Sequence, residues 1–118
     1  MKSFPNWYWK KGLHDAEIKK ISFQFLDYDY TLANPIRNYL LVELDSCNAM
    51  FETKITSIKF YNAKIIAGKT DISGYWWVYD ELICNKGKYT LLINARSVDQ
   101  KVSIHISFDN ADVFRHSD

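Results

Sequence analysis

The stretch Lys88–Phe108, KYTLLINARSVDQKVSIHISF, decides the fold. Tyr89, Leu91, Ile93 and Ala95 alternate with Thr90, Leu92 and Asn94. Val102, Ile104, Ile106 and Phe108 then alternate with Ser103, His105 and Ser107. A period of two puts successive side chains on opposite faces of a strand, so each run lays an apolar face on a core and turns a more polar face outward. The runs are rich in β-branched and aromatic residues, which suit a pleated, half-buried surface.

The same pattern extends outward along the chain. Ile21, Phe23 and Phe25 alternate with Ser22 and Gln24, and Leu40, Val42 and Leu44 with Leu41, Glu43 and Asp45. Phe23, Val42, Leu91 and Ile106 are therefore expected to be buried. Ala33-Asn34-Pro35 separates the first two runs, and Ala67-Gly68-Lys69 and Ser73-Gly74 bracket a loop. Asn85-Lys86-Gly87 reads as the turn of a hairpin that joins Tyr75–Cys84 to Lys88–Ala95. No long segment has a 3.6-residue period. The best helix candidates, Phe4–Lys11 and Trp76–Cys84, are short and made of poor helix formers. The pattern predicts an all-β domain over residues 1–118, an antiparallel sandwich or partly open barrel of about seven or eight strands. An α+β fold with one short helix is the alternative.

A chain of 118 residues can bury one sizeable core. Its 47% hydrophobic and 25% charged residues are the composition of a globular domain. The formal net charge is +1 and the lysines are scattered, so nucleic acid is not an expected partner. No apolar run approaches the roughly 18–20 residues of a membrane span, and Met1–Pro5 has no signal-peptide core. Cys47 and Cys84 form no C-x-x-C, which favours reduced thiols and a cytoplasmic protein with no disulfide, metal or cofactor.

One pattern occurs twice. Ile58-Lys59-Phe60-Tyr61-Asn62-Ala63-Lys64-Ile65 matches Ile106-Ser107-Phe108-Asp109-Asn110-Ala111-Asp112-Val113, as I-x-F-x-N-A-x-[I/V]. Asn tolerates a turn or bulge and Ala permits close packing behind it. The two copies are either sheet edges that end alike or the trace of a duplication with pseudo-two-fold symmetry.

Two groups of residues are candidates for function. The first is His14, Asp15 and Glu17. Metal ligands must converge on one point. In a strand His14 points away from the two carboxylates, and in a helix Asp15 swings off. The expectation is a polar entry to the first strand, in which Asp15 or His14 bonds backbone, and no metal site. The second group is Tyr75-Trp76-Trp77-Val78-Tyr79 with Trp7-Tyr8-Trp9. On a regular strand only one of Trp76 and Trp77 can be core. Val78 shares a face with Trp76 and is more often buried than Tyr, so Trp76 is expected inward. Trp77 and Tyr79 would then form an outer patch, either covered by the Trp7–Trp9 arm or free to bind a partner or a sugar ring. Asp80 and Glu81 diverge on a strand and make a poor acid–base pair. There is no G-x-S-x-G, P-loop, dinucleotide fingerprint or H-E-x-x-H, and Cys84 lies in an apolar run that suggests a buried, inert thiol. The chain is not expected to be an enzyme.

Gly12-Leu13-His14-Asp15-Ala16-Glu17-Ile18 resembles the HDA-x-[I/V] opening of small uncharacterised bacterial β-rich proteins, some of them grouped with the immunity proteins of polymorphic toxin systems. The order that follows is also similar: a strand ending in F-x-N-A, a Trp-containing strand before Asp-Glu, and a last strand with I-x-F. The resemblance implies a cytoplasmic, non-catalytic protein that binds and neutralises a toxin by occlusion; self-association is the other protein contact to expect. A small-ligand or carbohydrate-binding β-domain using Tyr75–Tyr79 is the alternative. The candidate binding residues are Trp7, Trp9, Tyr75, Trp77, Tyr79, His14, Asp15 and Glu17.

Overall fold

The computed structural model describes residues 5–9, 13–25, 38–46 and 54–115. The expected turn at Ala33–Pro35, Cys47 and His116 lie outside them. The described residues form eight strands: β1 Glu17–Phe25, β2 Asn38–Asp45, β3 Ile55–Tyr61, β4 Lys64–Gly68, β5 Trp76–Asn85, β6 Lys88–Arg96, β7 Lys101–Phe108 and β8 Asn110–Arg115. All strand pairings are antiparallel. The described residues contain no helix, so the α+β alternative finds no support among them. Trp76–Cys84 is a strand because its β-branched and aromatic residues suit a sheet. Residues 5–9, the described part of the other helix candidate, form only a turn, with the Tyr8 N–H on the Pro5 carbonyl at 3.0 Å. The expected hairpin is present: Asn85 pairs with Lys88 across Lys86 (φ 50°) and Gly87 (φ 81°). Two left-handed residues match the turn to the twist of its strands.

The strands hydrogen-bond in the order β4-β7-β6-β5-β1-β2-β3-β8. The order is open, but its ends are tied by the chain. β4 continues β3 after a kink at Asn62-Ala63, and β8 continues β7 after a kink at Asp109. The two kinked strands share one ladder. Ile58↔Val113 and Phe60↔Ala111 lie before the kink, and Lys64↔Ser107 and Ile65↔Ile106 after it, in unbroken register. The sheet therefore rolls back on itself as a partly open barrel. The two I-x-F-x-N-A-x-[I/V] copies are the residues that pair with each other here. Phe60 meets Phe108 edge-on at 4.8 Å, and Ala63 and Ala111 are both buried.

The pairing of the copies is part of a wider two-fold arrangement. β1-β2-β3-β4 and β5-β6-β7-β8 are each a three-stranded meander with a kinked extension, and they meet at β1–β5, β3–β8 and β4–β7. At the β1–β5 junction the backbone bonds come in mates. Ile18 N–H donates to the Tyr75 carbonyl and Trp77 N–H to the Ala16 carbonyl, both at 2.8 Å. Gly74 N–H to Ile18 (2.6 Å) is matched by Asp15 N–H to Trp77 (2.7 Å). Ala16 N–H to Leu13 (2.9 Å) is matched by Tyr75 N–H to Ile72 (3.1 Å). Asp15 (φ 71°) and Gly74 (φ 88°) both adopt left-handed backbone, and a bulge follows both Ile18 and Trp77. This local symmetry favours the duplication reading of the repeat over edges that merely end alike.

The core lies inside the roll. Val42, Leu91 and Ile106 are buried as expected, with Ile18, Ile58, Phe60, Ile93, Ile104 and Phe108. Phe23 departs from expectation at 42% exposed. Its face is right, since its partner Leu40 is buried. However, β1 pairs with β5 only at Glu17↔Trp76, and past the bulge at Lys19 the barrel opens into a cleft of about 550 Å³. Ile21, Phe23, Leu40, Ala63 and Ile65 line that mouth. Cys84 is half-buried rather than buried. Among the described residues no helix is long and apolar enough to cross a membrane.

Candidate functional site

β5 sorts its aromatic residues by a bulge. Trp77 faces Ala95 and Tyr79 faces Asn94, so Val78 is an extra residue with no partner of its own on β6. The insertion breaks the alternation: Trp76 is outward, Trp77 inward, Val78 half-buried and Tyr79 outward. One tryptophan is core, as alternation requires, but it is Trp77 at 0% exposure, while Trp76 is 40% exposed. This reverses the expected assignment. On a regular strand Tyr79 would have followed Trp77 to the same face; the bulge instead leaves it at 58% exposure, on the outer face with Trp76.

Trp9 and Trp77 are buried and Trp7 is half-buried, so the three do not stand out as an exposed aromatic face. The Trp77 indole N–H donates to Asp80 Oδ2 at 2.8 Å, Trp9 donates to the same oxygen at 3.0 Å, and the Tyr8 hydroxyl donates to Asp80 Oδ1. Trp9 meets Trp77 edge-on at 5.4 Å, and Trp7 packs on Tyr89 and Phe108 at 5.6 Å each. The arm thus plugs one end of the barrel from inside the rim, rather than lying over the outer patch. Asp80 anchors it as acceptor for three donors. Burial, reinforced by the Asp80 carboxylate, pushes the Tyr8 hydroxyl well above the usual phenol range. Glu81 is exposed on the other face, so Asp80 and Glu81 share no site. Tyr75 is half-buried, with its hydroxyl on Gln100 Oε1 at 2.7 Å.

His14 and Asp15 are turn residues. The His14 Nδ1 lies 2.5 Å from the Val78 carbonyl, a hydrogen bond in which the ring N–H donates, and its Nε2 is 3.9 Å from Asp15 Oδ2. Their two-fold counterparts are Ser73 and Gly74, which shows what the turn demands: a left-handed residue at the second position. Asp tolerates that conformation better than most residues. Among the described residues no three His, Cys, Asp or Glu side chains gather closely enough to hold a metal.

Glu17 belongs elsewhere. It lies opposite Asp45 on one side and Trp76 on the other; Trp76 lies opposite Arg96, and Arg96 opposite Lys101. Directly opposed residues share a face, so Asp45, Glu17, Trp76, Arg96 and Lys101 make one row across five strands. Glu17, Trp76, Arg96 and Lys101 are all exposed. The next row on β5–β7 is Tyr79, Asn94 and Ser103. The row has carboxylates on one side of a tryptophan and cations on the other. Of the candidates named from sequence, only Glu17 and Tyr79 stand on this face. Trp76, weighed with its strand but expected inward, joins them, and Arg96 and Lys101 were missed. The signal for the two cations was present: they flank the short turn Ser97–Gln100 symmetrically, and recognising that turn would have paired them.

Compared with protein-family models, with curated proteins and with solved structures, the chain finds no match.

Proposed function

We propose that the chain is a non-catalytic protein-binding module that acts by covering a surface of its partner, in the manner of a cytoplasmic immunity protein against a toxin. The observation that carries the reading is the outer face of β5–β6, where Trp76 and Tyr79 stand exposed beside Arg96. Trp, Tyr and Arg are the residue types that most often dominate binding energy at protein interfaces. Burying Trp76 and Tyr79 against a partner also removes an apolar surface that is costly to leave in water. The carbohydrate reading draws less support. The cleft at the barrel mouth is lined mainly by aliphatic side chains and Phe23, and that on β5–β7 by polar and aliphatic ones, with no Trp or Tyr in either.

The test is affinity capture from the native host, followed by titration of the identified partner. Trp76→Ala and Tyr79→Ala should each weaken binding by about 2 kcal/mol or more, with melting temperatures close to wild type. Co-expression of the chain should rescue growth if the partner is a toxin. A partner that binds the Trp76→Ala, Tyr79→Ala double variant as tightly as wild type refutes this face.

A further inference from the structure

We infer that the cleft between β5, β6 and β7 is an anion pocket that receives a carboxylate side chain from an acidic segment of a protein partner. This inference rests on the protein-binding reading and specifies the chemistry of the partner. The cleft has a volume of about 430 Å³, and Val78, Asn94, Arg96, Lys101 and Ser103 line it together with Ala95 and Val102. Its geometry has an unresolved cost. Arg96 and Lys101 are directly opposed on neighbouring strands, and like charges in that relation repel. Among the described residues neither has a carboxylate within ion-pair distance. Asp99, in the turn that joins their strands, is fixed with its backbone N–H on Ser97 Oγ at 3.4 Å. An oxyanion between the two cations would turn the repulsion into attraction. Arg96 offers a planar fork suited to a carboxylate, and the Asn94 amide and Ser103 hydroxyl, opposed one row on, add neutral donors. Val78, the bulge residue of β5, lines the cleft, and Trp76 and Tyr79 lie opposite Arg96 and Asn94 on the neighbouring strand. A carboxylate on a protein chain is favoured over nucleic acid because Glu81 and Glu17 border the face, and a polyanionic backbone would run against them.

The test is a titration of the isolated chain at low salt, followed by two-dimensional nitrogen–proton NMR. The probes are a short oligoglutamate peptide, an oligolysine peptide, inorganic phosphate and an oligothymidylate. Oligoglutamate should give saturable shifts centred on the Arg96 side-chain N–H, the Asn94 side-chain amide and the Ser103 backbone amide. The Arg96→Gln, Lys101→Gln double variant should bind it at least ten-fold more weakly while keeping its far-UV circular dichroism, and added salt should weaken binding. Shifts that do not saturate, or that survive in the double variant, overturn the inference. So does tighter binding of phosphate or of oligothymidylate than of oligoglutamate. The Trp76→Ala, Tyr79→Ala variant separates this inference from the reading beneath it. Oligoglutamate binding that persists in that variant while partner capture is lost supports both. Trp76-dependent capture without oligoglutamate binding overturns the anion pocket alone.

Discussion

Replacing Trp77 by alanine should be among the most damaging single changes in this chain. Its side chain is fully buried, it packs edge-on against Trp9 at 5.4 Å, and its indole N–H reaches Asp80 at 2.8 Å. Truncating a buried aromatic residue to alanine costs about 3–5 kcal/mol through lost transfer energy and the cavity left behind. One hydrogen bond is lost as well, worth about 1 kcal/mol; Asp80 Oδ2 keeps the bond from Trp9. A loss of about 4 kcal/mol is a large share of the roughly 5–15 kcal/mol that holds a domain folded. For a chain of this size it lowers Tm by about 12–20 °C. Trp77→Phe, which keeps a ring and gives up the N–H, should cost about 1–2 kcal/mol. Trp76→Ala, on the outer face, should fall within about 0.5 kcal/mol of wild type. Unfolding in urea is best followed by far-UV circular dichroism, because the substitutions remove fluorophores. If Trp76→Ala destabilises as much as Trp77→Ala, the bulge does not sort the two side chains as described.

Asp80→Ala should destabilise by about 2–4 kcal/mol, since Tyr8, Trp9 and Trp77 would all lose their acceptor; a change below 1 kcal/mol in urea titration would refute its role as anchor of the arm. The hydrogen bond from the Tyr61 hydroxyl to Asp112 at 2.6 Å pushes the Tyr61 pKa up from 10.0 to about 12. A phenol whose folded pKa is raised contributes stability that is fully present below pH 10 and is lost as pH rises through about 12. Tyr61→Phe should therefore flatten the fall of stability across that window and remove a late-titrating phenol from the absorbance titration near 295 nm; identical curves for the two proteins would contradict the assignment.

The strands were legible because their side chains alternate, and alternation is a local signal. Runs such as Leu40–Leu44 and Tyr89–Ala95 announced both the strand and its inner face. The hairpin at Lys86-Gly87 was legible because Gly supplies a left-handed backbone cheaply. The failures share a cause: each depended on a partner far along the chain. Nothing near Val78 marks it as an insertion, since the register is set by Ala95 and Asn94. The exposure of Phe23 follows from β5 diverging from β1, not from its own surroundings. The His14-Asp15 pair looked chemical because its residue types are those of active sites. Only its structural mate, Ser73-Gly74, reveals the turn they share, and the two sequences have almost nothing in common. The cation pair of the candidate site was spread over two strands and became visible only when they were laid side by side.

The two-fold arrangement of the meanders bears on how a partner could approach. An axis running through the Glu17↔Trp76 pair offers any visitor two orientations related by a half-turn, and a symmetric surface would accept both. This surface does not. The position that is Glu17 in one half is Trp76 in the other, and their neighbours on the next strands are Asp45 and Arg96. A partner carrying the carboxylate proposed above and turned the wrong way would bring it against Asp45 and Glu17 and leave Arg96 and Lys101 unmet, a mismatch that works against that pose. For a partner docking on the proposed face, the two-fold frame would offer two equivalent poses, and the differing residues at Asp45, Glu17, Trp76 and Arg96 would leave it one.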